Sequence, residues 1–238
     1  MAVSRETSAE IRAGLKDIWL VGLGLIPLGL AFGLVMSQTG FAWWWTPIFS
    51  IVIYAGSMEF VAMNMVLAGT DPLSAAVTGF MVNFRHIFYG LTYPLDRVRS
   101  PLGRLYGVYS LTDESYAAVS ALPKGTRLSG ARVLTIQIAV QVFWVCSGIL
   151  GALAGGAIPA GIEGLDFALT ALFIVLAYEA FQATRDVSTV LIAAALGLAA
   201  WAFFPSQLLI VALSAYFFVL LVRFWAPRVD AALTWRIR

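Results

Sequence analysis

Apolar residues fall into eight stretches, roughly 18–36, 44–68, 72–93, 105–122, 131–155, 165–183, 187–204 and 206–225, divided by short turn or charge signals. Each lies near the ~20 residues that a helix needs to cross hydrocarbon. The pattern predicts an all-α polytopic membrane protein, with residues 1–238 forming one transmembrane domain. Residues 1–17 read as a short amphipathic segment in which Arg5, Arg12 and Lys16 are set among Glu6 and Glu10. The first apolar run is long enough to span and no small-residue cleavage site follows it. It therefore reads as a retained helix rather than a signal peptide.

Composition supports the bilayer as solvent. Of 238 residues, 61% are hydrophobic and 12% charged, against about 25% charged in soluble domains. A net charge of +2 leaves no electrostatic footprint for nucleic acid. The lone cysteine, Cys146, excludes an internal disulfide and a cysteine-type metal site, and reads as a small packing residue.

Lysine and arginine orient the chain, because short cytoplasmic loops collect them. The N-terminus, the Arg97/Arg99/Arg104 loop, the Lys124/Arg127 loop, Arg185 and the tail with Arg223, Arg228, Arg236 and Arg238 all read as cytoplasmic. The loops at 38–39, 156–161 and 205–207 lack such residues and read as external. Four full crossings from Ala131 onward satisfy every loop. Upstream, simple alternation fails: three crossings would put the Arg97 loop outside, and 105–122 has basic loops on both sides. Six crossings plus two broken, re-entrant hairpins resolve this, with 44–68 entering from outside and 105–122 from inside, as in many secondary transporters. A short echo makes an inverted repeat a candidate: Tyr54-Ala-Gly-Ser-Met-Glu59 and Tyr109-Ser-Leu-Thr-Asp-Glu114 share Tyr-x-x-[Ser/Thr]-x-Glu. Seven or eight full crossings are the alternative.

Ionisable groups at membrane depth cost about 2.5–3.5 kcal/mol each, so they are functional candidates. They form three clusters. In the first, Gly56 and Ser57 mark a helix break beside Tyr54, whose new helix start would bind a carboxylate. Glu59 there is a candidate for an ammonium group or a proton, or for a structural pair with an arginine. The second is Asn83-Phe-Arg-His-Ile-Phe-Tyr89. Arg85 and Tyr89 share a helix face. Arg85 suits a carboxylate or an ion pair with Glu59, Asp113 or Glu114, and the only histidine, His86, suits a proton relay or a bond to a backbone carbonyl. In the third, Thr112 followed by Asp113 and Glu114 reads as a capped helix start. Adjacent carboxylates in low dielectric suit proton coupling; a solvated cap is the plainer alternative.

Weaker signals complete the pattern. Pro27 in a glycine-rich run, with Gly29 and Gly33, reads as a helix break or as close helix packing through small residues. Asp166 reads as a helix start, and Glu179 lies near the end of the same stretch. Trp43, Trp44, Trp45, Trp201, Trp225 and Trp235 fit interfacial belts.

The motifs Pro27-x-Gly-x-Ala-Phe-Gly33, Tyr54-Ala-Gly-Ser-x-x-Phe60, Arg85-His-x-x-Tyr89-Gly, Leu111-Thr-Asp-Glu114 and Asp166-Phe-x-Leu-x-x-Leu-Phe173 occur in that order. Together they resemble the AzlC-type branched-chain amino-acid permeases over roughly 13–223. The resemblance implies an exporter of branched-chain amino acids in the bacterial inner membrane, the large subunit of a pair with a small hydrophobic AzlD-type partner. Two positions depart from it: the family often has Gln where Glu59 stands and Asp where Asn83 stands.

A proton-coupled secondary transporter for a neutral, zwitterionic amino acid follows as the leading expectation, with no cofactor and no metal. The Tyr54–Ser57 break or Arg85 would hold the carboxylate, Glu59 or Asp113 the ammonium, and Glu114 or His86 the proton. No Gly-x-x-x-x-Gly-Lys-[Ser/Thr] loop occurs, so the chain does not itself hydrolyse ATP. An intramembrane enzyme is the alternative from another class. One histidine and no paired ligand motif make its acid–base or metal site poor. An uncoupled channel is the third reading.

Overall fold

A computed structural model describes residues 5–123, 125–157, 174, 177–178, 181–182 and 185–236. Every regular element among these is helical, and one isolated bridge pairs Asp186 with Arg236. The helices are α1 (Arg5–Gln38), α2 (Trp45–Val52), α3 (Gly56–Leu67), α4 (Pro72–Asn83), α5 (Arg85–Thr92), α6 (Pro101–Tyr109), α7 (Asp113–Ser120), α8 (Gly130–Ala157), α9 (Val187–Phe203), α10 (Leu208–Trp225) and α11 (Pro227–Leu233). Two of them, over Glu6–Gln38 and Gly130–Ala157, are long and apolar enough to cross a membrane. A third span results if α10 and α11, bent by 113° at their junction, are taken together.

The described residues pack as two compact units. The first draws on Met1–Phe60 and Phe84–Ala168, the second on Val61–Asn83 and Leu169–Arg238. Asp166 and Glu179, with the motif running to Phe173, lie outside the described residues.

The first unit is organised around α1 and α8. A side chain at Gly14 would meet Arg132, one at Gly22 would meet Phe143, and one at Gly29 would meet Ser147. The matched positions rise together along both helices, so α1 and α8 run parallel. A Cβ built on Gly33 would sit 1.9 Å from the Gly148 carbonyl oxygen, and one on Gly151 would sit 2.1 Å from that of Leu30. Backbones this close need glycine on both sides, and in lipid such packing replaces the hydrophobic drive.

This packing corrects the break expected at Pro27, Gly29 and Gly33. The α1 helix runs unbroken through Pro27, and its glycines serve contact with α8. The same helix absorbs most of the segment expected to precede it. Its 34 residues extend about 51 Å, well beyond the ~30 Å hydrocarbon core. Its first turns are tied to the start of α8: Arg132 grips Asp17 through Nε (2.6 Å) and a second guanidinium nitrogen (3.0 Å), and Ser129 donates to Glu10 (2.5 Å).

Two predicted stretches are discontinuous helices. Residues 44–68 become α2 and α3, interrupted at 53–55. There the Phe49 carbonyl accepts from both Ile53 and Tyr54 N–H, ending α2, while Glu59 N–H donates to Ala55 and starts α3. Tyr54 takes φ +44°, a left-handed conformation costly for a bulky residue. Ser50 and Glu59 are nine residues apart yet bonded at 2.7 Å. A straight helix would hold their Cα atoms about 13 Å apart, beyond the reach of these side chains, so the chain changes direction at the break.

Residues 105–122 become α6, which starts earlier at Pro101, and α7, interrupted at 110–112. The stretch 72–93 also divides, into α4 and α5 at Phe84. Cys146, expected as packing, is exposed.

The second unit sets α10 against α9 and α4. Its largest network of polar contacts lies at one end. Asp186 caps α9, and Arg223 at the end of α10 bonds Asp186 at 2.7 Å and Asp230 of α11 at 2.6 Å.

Candidate functional site

The two helix breaks of the first unit open on one small cavity of about 20 Å³, lined by Leu25, Tyr54, Gly56, Thr112, Glu114, Val140 and Trp144. Gly56, the first residue of α3, lines the cavity. Thr112 caps α7 with the geometry its sequence predicts. Its hydroxyl accepts from Ser115 N–H, and the Ser115 hydroxyl accepts from Thr112 N–H. Asp113 and Glu114 then occupy the first turn of α7, where the helix dipole favours negative charge. The first residue of α3 and the cap and first turn of α7 therefore line one space, with a single lining carboxylate, Glu114.

Tyr54 is 5% exposed, and its hydroxyl has no hydrogen-bond partner among the described residues. Together with the left-handed backbone, this makes Tyr54 a functional candidate. The cavity holds roughly one water-sized molecule.

The predicted site residues divide into separate groups. Tyr54, Gly56, Thr112 and Glu114 share the cavity. Arg85 bonds Asp113 at 2.5 Å, and His86 Nε2 lies 4.0 Å from the other oxygen of Asp113. Tyr89 packs edge-on to His86 and stacks on Tyr116 at 4.4 Å. Asp113 and Glu114, adjacent in sequence, thus face different surroundings: an arginine for the first, the cavity for the second. Ser57 is half-buried in the first turn of α3 and does not line the cavity, and Asn83 closes α4.

Glu59 is fully buried and outside the cavity lining. One of its oxygens accepts from the Ser50 hydroxyl (2.7 Å) and the other from the Trp144 indole N–H (2.9 Å).

A row on α8 escaped the sequence reading. Gln137, Gln141, Trp144 and Gly148 follow at spacings of four, three and four, which places them on one helix face. Each meets a loose end of the broken helices. Gln137 donates to the Gly107 carbonyl (2.7 Å), which the end of α6 leaves without its helical partner. Gln141 accepts from Tyr106 (2.7 Å) and donates to the Tyr109 hydroxyl (2.8 Å), which in turn donates to the Ile51 carbonyl near the end of α2. Trp144 reaches Glu59, and Gly148 makes room for Thr46. The available signal was two glutamines at helical spacing inside an apolar run.

Among the described residues, no group of three or more His, Cys, Asp or Glu is placed to hold a metal ion. Among the described residues the geometry instead defines a class: helical proteins with membrane-length spans and interrupted helices that meet at a small interior cavity lined by one carboxylate. Residues 21–158, more than half of the chain, match the model of the AzlC protein family, and the chain belongs to that family. It is 36% identical over 159 residues to the Bacillus subtilis protein named "Branched-chain amino acid transport protein AzlC", a match covering 66% of this chain and 62% of that relative. It is 32% identical over 184 residues to the Escherichia coli "Inner membrane protein YgaZ", covering 74% and 75%. An uncharacterized membrane protein of Haemophilus influenzae matches at 31% over 160 residues, 66% of this chain and 65% of the relative. The chain therefore spans slightly less than two thirds of the Bacillus and Haemophilus relatives. No solved structure matches.

Proposed function

We propose that the chain is a secondary transporter that exports branched-chain or similar neutral amino acids across the bacterial inner membrane in exchange for protons. Convergence of two helix starts on a cavity with one carboxylate carries the reading. A zwitterion needs donors for its carboxylate and an anion for its ammonium. The first turns of α3 and α7, with the Tyr54 hydroxyl, supply donors, and Glu114 supplies the anion. Glu114 holds either the ammonium or a proton: binding of the amino acid displaces the proton, and its release readmits one. Such mutual exclusion at one carboxylate yields antiport. Arg85 then acts through Asp113, and His86 beside it is the second proton carrier. The Bacillus relative's name supports the substrate class.

The topology we propose has six crossings and two opposed hairpins, with α2–α3 entering from outside, α6–α7 from inside, and both termini cytoplasmic. The parallel course of α1 and α8, each beginning near basic residues, supports it. A cysteine at Asp71 should label from the outside; labelling only from the cytoplasm overturns the outer hairpin. A small AzlD-type membrane subunit is the proposed partner.

Counterflow in proteoliposomes, with a panel of amino acids and with or without the small subunit, tests the function. Saturable exchange of leucine, isoleucine or valine that depends on pH is expected. Non-saturating flux without exchange would indicate a channel and contradict it.

A further inference from the structure

Trp144 stands between the cavity and Glu59. Its ring lines the cavity, lies 3.1 Å from where a Cβ on Gly56 would be and stacks on Phe32 with centroids 6.0 Å apart and planes 19° from parallel. Its N–H is bonded to Glu59, whose second oxygen is held by Ser50 of α2. Glu59 sits in the first turn of α3, so a single carboxylate ties together α2, α3 and the wall supplied by α8.

We infer that Glu59 is a positioning residue that fixes the Trp144 ring as the wall limiting substrate side-chain size, and that it touches neither the substrate nor the transported proton. The inference rests on the transport reading above, in which this cavity opens into the substrate site. Glu59 is sealed from the cavity, so a direct ionic contact with substrate would need both of its hydrogen bonds broken. The bonds it makes require an acceptor for the indole and a partner for a hydroxyl. A glutamine meets both needs: its oxygen accepts from Trp144, and its amide donates to Ser50.

The test compares E59Q, E59A, W144F and the E59A/W144F double variant as purified full-length protein in proteoliposomes. KM and kcat are read for alanine, valine, leucine and phenylalanine across pH. For E59A and W144F, the KM for phenylalanine relative to alanine should fall roughly tenfold, the scale on which pockets discriminate single methylenes. The double variant should shift no further than either single one. E59Q should keep the parent's KM ratio and pH profile. Loss of exchange in E59Q equal to that in E59A, or a displaced pH profile, would make Glu59 a proton carrier or ligand and overturn the inference. An unchanged size preference in W144F would also overturn it, and this variant serves where E59A fails to fold.

A second measurement does not depend on transport. The indole N–H resonance of Trp144 in 15N-tryptophan-labelled protein, assigned by its loss in W144F, should move in E59A and nearly hold its position in E59Q. If the parent shows no amino-acid exchange while this resonance behaves as stated, the transport reading fails and the Glu59–Trp144 link stands. If the resonance ignores E59A, the link itself fails.

Discussion

The two units place their polar residues differently. In the first, Glu59, Gln137, Gln141, Thr112 and Glu114 lie within or beside apolar helices, at the breaks in α2–α3 and α6–α7. In the second, the largest polar network sits at one end, where Asp186, Ser188, Thr189, Arg223, Asp230 and Thr234 bond one another. The runs of α9 and α10 before Arg223 carry no charge. Polar groups set among apolar helices at interior breaks are expensive and are functional candidates by default. Those gathered at the outer end of a helix pair cap and anchor. The family match over 21–158 covers the whole of the first arrangement and none of the second.

The comparison breaks most sharply at Glu114. E114Q should reduce pH-dependent amino-acid exchange to background in proteoliposomes, while the protein still elutes as a folded species on size exclusion. Retained proton dependence would remove Glu114 from the site. At the other end, R223A should do the reverse. Arg223 and Asp186 are 9% and 7% exposed, and breaking a buried pair costs on the order of 3 kcal/mol. Thermal unfolding in detergent should register that loss, with exchange per folded molecule unaltered. The α1–α8 contact lies between these cases. G33A must move backbone rather than a side-chain tip and should destabilise by about 1–3 kcal/mol, the usual range for overpacking. Wild-type unfolding temperature in G33A would contradict the close contact.

A smaller effect follows acid. Burial alone would raise the Asp186 carboxyl, but bonds from Ser188, Arg223, Thr189 and the Trp235 N–H outweigh it and hold it well below the usual carboxylate range. A group depressed in the folded state contributes stability above its unfolded value, near 3.9, and loses it as pH falls through the folded value. The protection of α11 amides against hydrogen exchange, relative to their intrinsic rate at each pH, should therefore hold from neutrality to about pH 4 and fall in stronger acid. The same onset near neutrality would mean that Asp186 does not hold this end.

Much of the fold was legible because its signals are local. Apolar runs locate most of the helices, and Thr112-Asp-Glu114 announces its own cap. Gly56 and Ser57 flag the first break, although the strained residue is Tyr54, just before them. What was not legible depends on partners far along the chain. Pro27 lies in a continuous helix whose glycines pack on α8, over a hundred residues later. The isolation of Glu59 comes from Trp144, 85 positions away. Asp113 and Glu114 cannot be told apart locally, since Arg85 and the cavity make the difference. The division of 72–93 at Phe84 had no marker as clear as glycine or proline.

The central claim, that one carboxylate at the meeting of two helix breaks binds either a proton or an amino acid, has a direct measurement. Purified protein in weakly buffered detergent solution is mixed with leucine near neutral pH, and the proton released is recorded. The parent should release protons saturably with leucine, and E114Q should bind without releasing any. Saturable leucine binding with no proton release by the parent, or equal release by E114Q, would contradict the account.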